Sequence, residues 1–155
     1  MDIAEVALRL SAATAIGAAV GFDRELRRKA AGLRTNALVA LGACLITLTA
    51  AQIYPGSTDK HIDAVSRVIQ GIIAGVGFLG GGAILKGAGA NEQESVHGLT
   101  TAASIWVVAA LGIACGSGQW IAAVVGAGLT LIVLVLGGRL DYAIKKRFAR
   151  PDGDR

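Results

Sequence analysis

WIAAVVGAGLTLIVLVLGG, residues Trp120–Gly138, decides the fold. It carries no charge, is rich in Val, Leu and Ile, and has the length a helix needs to cross ~30 Å of hydrocarbon at ~1.5 Å per residue. Four further apolar stretches precede it, at Ile3–Phe22, Thr35–Ile53, Val68–Leu85 and Gly98–Cys115. A soluble domain of 155 residues has no core large enough to hide five such segments. The sequence predicts an all-α, polytopic transmembrane bundle of about five helices whose first partner is the lipid bilayer.

Composition agrees. Hydrophobic residues make up 54% and charged ones 17%, and the 22 glycines suit helices packed closely in lipid. The net charge of +4 is not a nucleic-acid signal once the charges are located. Arg24, Arg27, Arg28, Lys29, Arg34, Lys86 and the tail cations fall on one side of the predicted membrane, with Lys60 and Arg67 alone on the other. That asymmetry predicts an N-out, C-in chain by the positive-inside rule. Met1-Asp2-Ile3-Ala4-Glu5 lacks the basic start of a cleaved signal, so a retained first helix is expected. Residues 1–138 form the membrane domain on this reading, and 139–155 a short basic cytoplasmic tail lying on anionic headgroups. Cys44 and Cys115 lie in apolar stretches without CxxC spacing, which gives neither a zinc site nor a disulfide framework.

Two stretches are unusual. Glu5 and Arg9 stand four apart inside the first, either as an interfacial ion pair with Arg9 reaching the headgroups or as a charge facing the bundle. The third runs Gly71-Ile72-Ile73-Ala74-Gly75-Val76-Gly77-Phe78-Leu79-Gly80-Gly81-Gly82. Gly75, Gly77 and Gly80 match the spacing of a dinucleotide fingerprint, but no strand, βαβ unit or ribose-binding acid surrounds them, so the match is rejected. Two readings remain. Gly71, Gly75, Gly77, Gly80 and Gly81, with Gly17 and Gly21 of the first stretch, are helix-packing positions; or the three consecutive glycines break the helix at depth. Under the packing reading, Gly75→Leu is expected to disrupt the protein whatever it does.

No catalytic constellation occurs: no HExxH, no serine set beside a base, no paired cysteines. The expectation is a protein that is not an enzyme and has no resident cofactor. Polar residues cluster in three places: Asp23-Arg24-Glu25 with Arg34 and Asn36 around the first loop; Arg67 with Gln70; and His97, Thr100, Thr101 and Ser104 along the fourth stretch. Topology alone would need no acids in the first loop. Asp23 and Glu25 are therefore the candidate ligands for a hard cation such as Mg²⁺, which prefers oxygen.

The blocks Gly21-Phe22-Asp23-Arg24-Glu25, Ala31 to Ala43, Gly75 to Gly82 and Val96 to Trp106 closely resemble the MgtC/SapB family, in family order and over about Leu8 to Leu136. The resemblance implies a bacterial inner-membrane protein linked to Mg²⁺ homeostasis, growth at low Mg²⁺ and, in pathogens, survival inside host cells. Family members are accessory or regulatory proteins rather than proven transporters. Carried onto this chain, the resemblance singles out Asp23, Arg24, Glu25, Arg34, Gly77, Gly80, Thr100, Thr101 and Ser104. Asp23 stands where Glu is more usual, and His97 where the family has Arg. The sequence stops at Arg155, and the expectation is a short form without the soluble C-terminal domain of many virulence-associated members. The leading expectation is an accessory protein acting through a membrane-protein partner. The runner-up is an oligomeric small-ion transporter or channel, with glycine-rich faces on the first, third and fourth helices as its interface.

Overall fold

The structure, a computed structural model, describes residues 1–53, 59–85 and 98–148. These form five helices: α1 (Ile3–Leu26), α2 (Leu33–Ile53), α3 (Asp59–Leu85), α4 (Leu99–Gly116) and α5 (Trp120–Phe148). Each contains a segment long and apolar enough to span a membrane. In lipid no water competes for backbone N–H and C=O groups, so only self-satisfied helices are stable at depth. That pressure carries α3 unbroken through Gly80-Gly81-Gly82 although each glycine costs ~1 kcal/mol of helix propensity. The broken-helix alternative is not what the chain adopts.

The helices also outrun the apolar stretches. α1 continues through Asp23-Arg24-Glu25, which sequence placed in the loop, because Asp23 and Arg27 pair one turn apart and Arg24 turns back into the bundle. α3 begins at Asp59 with a polar first turn, and α5 runs past Gly138 as far as Phe148. The connection Gly87–His97 and the end of the chain after Phe148 lie outside the described residues.

α4 is the centre. It touches all four other helices, and half of its span is buried against 6% for that of α5. A first core joins Ala13 and Val20 of α1, Ala40, Cys44 and Leu48 of α2, and Val108 and Cys115 of α4. A second joins Ala43 of α2, Val76 of α3, and Ile105 and Ala109 of α4. Most of these side chains are small, so the backbones approach closely, as helices do where lipid removes the hydrophobic drive to associate. A Cβ on Gly17 would stand 2.5 Å from the Asn36 carbonyl and 2.8 Å from the Ala40 Cβ, and one on Gly21 only 2.6 Å from the Leu33 Cα. From the other side, a Cβ on Gly112 would stand 3.0 Å from the Ala40 Cα, and one on Gly116 2.8 Å from the Cys44 carbonyl. α2 is thus clasped between two glycine faces.

The glycines of α3 behave differently from expectation. Among the described residues Gly80 packs within the chain, where a Cβ would meet that of Ala102 at 3.3 Å, whereas a Cβ on Gly71, Gly75, Gly77 or Gly81 would meet nothing beyond its own helix within 4 Å. Those positions of α3 remain open, whereas the glycine faces of α1 and α4 are consumed inside one copy.

The remaining fixtures are at the helix ends. Arg9 forms an ion pair with Glu5 and also donates to the Gly116 carbonyl at 2.7 Å. Its charge therefore faces the bundle and the negative end of α4, rather than the headgroups alone. At the other end of α4, Gly98 precedes the first turn with φ +99°, and a Cβ there would stand 2.5 Å from the Ala83 carbonyl. Gly98→Ala is expected to cost ~1–2 kcal/mol from the left-handed backbone alone, with the collision on α3 added. Thermal unfolding in detergent reads that loss.

Candidate functional site

One end of the bundle gathers the last turn of α1, the α1–α2 loop, the first turn of α2 and the start of α4. Its centre is Arg24, 2% exposed. The guanidinium donates to the Ala30 carbonyl at 3.0 Å, to the Ala31 carbonyl at 3.3 Å and to the Thr101 hydroxyl of α4. Asn36, fully buried in the first turn of α2, donates to the same loop, to Ala31 at 2.6 Å and Gly32 at 2.9 Å. The Asn36 Oδ1 has no partner among the described residues. Ser104, one turn along α4, donates to the Thr101 carbonyl at 2.8 Å. Arg24, Asn36, Thr101 and Ser104 therefore form one buried network that ties α1, α2 and α4 through the loop.

The loop explains why such a network is needed. Arg28 and Ala31 both adopt left-handed backbone, φ 52° and φ 59°, a conformation that costs L-residues ~1–2 kcal/mol. Arg24 and Asn36 hold the loop's carbonyls and offset that strain. Among the described residues no carboxylate bonds to Arg24. Asp23 accepts from Arg27 Nε at 3.0 Å, and Glu25 accepts the Leu33 N–H at 3.1 Å, closing the N-terminus of α2. Glu25→Gln is expected to weaken that cap by ~0.5–1 kcal/mol, with little change in helix content by circular dichroism.

The other sequence candidates do not join the network. Thr100 is exposed in the first turn of α4, and Arg34 is exposed at the start of α2. Gln70 is exposed on α3 and donates to Ser66 at 3.3 Å. His97 lies outside the described residues. Asp23 and Glu25, the candidate cation ligands, are engaged separately. Among the described residues no three His, Cys, Asp or Glu side chains come together as a metal site would require. The glycine face of α4, expected at an interface between copies, packs instead on α2 within the chain through Gly112 and Gly116, whose four-residue spacing is the signal for such an approach.

Fold and site together define a class: a small polytopic helical membrane protein with a buried arginine holding one end of its bundle. The chain belongs to the MgtC family, whose profile matches residues 10–143. It is 42% identical over 132 residues to Protein SrpB of Synechococcus elongatus, covering 83% of this chain and 72% of that one. It is 35% identical over 148 residues to "Putative magnesium transporter YhiD" of Escherichia coli K12, covering 93% of this chain and 66% of the relative. With Protein MgtC of Salmonella typhimurium it shares 42% identity over 113 residues, 73% of this chain but 44% of that protein. The chain thus spans between about half and three quarters of the relatives it matches. No solved structure matches it.

Proposed function

We propose that this chain is a non-enzymatic accessory protein of the bacterial inner membrane, without a resident cofactor, that supports Mg²⁺ homeostasis and growth at low Mg²⁺ by binding another membrane protein. Any virulence role follows from that growth support. The name of one relative, "Putative magnesium transporter YhiD", supplies the link to magnesium. The observation that carries the accessory reading is the buried guanidinium of Arg24, unpaired with a carboxylate among its described partners. A fixed cation at the mouth of a core filled by Ala13, Val20, Ala40 and Val108 repels a divalent cation and leaves it no hydrated route between α1, α2 and α4. The expected N-out, C-in orientation would turn the Arg24 end towards the cytoplasm, and we take that end as the docking face for the partner.

An oligomeric transporter is the second reading, favoured by the open glycine positions of α3, which would place any ion path between copies. Mg²⁺ flux into proteoliposomes holding the folded, inserted chain decides between them. Absence of flux, together with rescue of low-Mg²⁺ growth in cells lacking the protein, is the expected result. Flux that rises with protein density would overturn the accessory reading.

A further inference from the structure

α2 and α3 diverge where α4 does not fill the space between them. A groove of about 840 Å³ opens there, walled by Arg34, Gly42 and Ile46 on α2 and by Arg67, Gly71 and Gly75 on α3. The two helices are antiparallel, so Arg34 marks one end of the groove and Arg67 lies towards the other. The wall between them is almost wholly apolar, and Leu38 and Leu79, which line it, stand exposed. Among the described residues, nothing beyond its own helix lies within 4 Å of a Cβ built on Gly42, Gly71 or Gly75. Larger residues would fit this chain at all three positions, so what the glycines preserve is the groove itself.

We infer that this groove holds one anionic phospholipid, its acyl chains along Gly42, Gly71 and Gly75 and its phosphate at Arg34. The occupant follows from the pairing of chemistry. An apolar slot open to the bilayer takes an acyl chain, and a cation at its end selects a negative headgroup over a zwitterionic one. Arg34 makes no ion pair or hydrogen bond among the described residues, and it sits at the positive N-terminal end of α2 within the basic segment of Arg27, Arg28 and Lys29. Glu25 shares that helix end but is bonded to the Leu33 N–H. A helix of a second copy fits less well. The outward face of α5, including Val124, Ile132 and Val133, is bulky and carries no acid among its described side chains to meet Arg34.

The test is native mass spectrometry of the purified full chain in detergent containing equal phosphatidylglycerol and phosphatidylethanolamine. The expected result is one retained lipid with a preference for phosphatidylglycerol. Arg34→Gln should lower that preference about fivefold, the effect of one basic side chain at an anionic surface. Gly42→Leu with Gly71→Leu should expel the lipid while circular dichroism and monodispersity stay unchanged, and Arg67→Gln should retain it. Retention in the groove-filled variant, or displacement of the lipid by inorganic phosphate, would overturn the proposal. So would a groove-filled variant that changed oligomeric mass with lipid retention unaltered, which would give the groove to a second copy.

Discussion

Arg24→Lys is expected to destabilise the protein by ~2–4 kcal/mol and, on the proposed function, to abolish support of growth at low Mg²⁺, although the charge is kept. The guanidinium reaches two loop carbonyls and the Thr101 hydroxyl at once through a planar fork. An ammonium is a single point on a shorter stem, so some of those acceptors lose their donor while remaining buried. The released loop then has nothing to hold Arg28 and Ala31 in left-handed backbone. Thr101→Ala removes one acceptor only, and its cost should be ~1 kcal/mol. Unfolding midpoints in detergent measure both losses, and complementation of growth reads the consequence. If Arg24→Lys unfolded at the wild-type midpoint, the network would have no structural weight, and Arg24 would have to act on something outside the chain.

Gly112→Leu and Gly75→Leu make the same chemical change and should give opposite results. At Gly112 the new side chain would begin 3.0 Å from both the Ala40 Cα and the Ala43 Cβ, against the backbone of α2. Neither helix can withdraw without opening the core around Val108 and Cys44, so overpacking of ~3 kcal/mol or more is expected, enough to prevent folding. At Gly75 the side chain enters open space, and stability should change by less than ~0.5 kcal/mol. Yield of monodisperse protein and its unfolding midpoint distinguish the two. This reverses the expectation from sequence, in which Gly75→Leu disrupts packing in every case.

That reversal shows where sequence reading stopped. A glycine advertises that a neighbour can come close, and not which neighbour or whether one comes at all. The four-residue spacings of α3 were more conspicuous than those of α4, yet Gly112 and Gly116 are the ones that touch α2. The polar candidates divided in the same way. Thr101 and Ser104 are buried and joined by a hydrogen bond, whereas Thr100, adjacent in sequence and set on the same helical face by its offset, is exposed. The acids attracted attention as cation ligands, whereas the buried group is the arginine between them, and each acid is spent on a nearby donor.

What the sequence determined by itself was the all-α class, the five spans and the family, because apolar length and local motif order are one-dimensional properties that lipid reads directly. The direction in which each helix turns was decided only by tertiary structure. A span that is apolar all round has little moment to orient it, so contacts between helices select the buried face. Those contacts made α4 the centre, left the groove beside α3 open, and drew Arg24 into the bundle where three acceptors could replace its water.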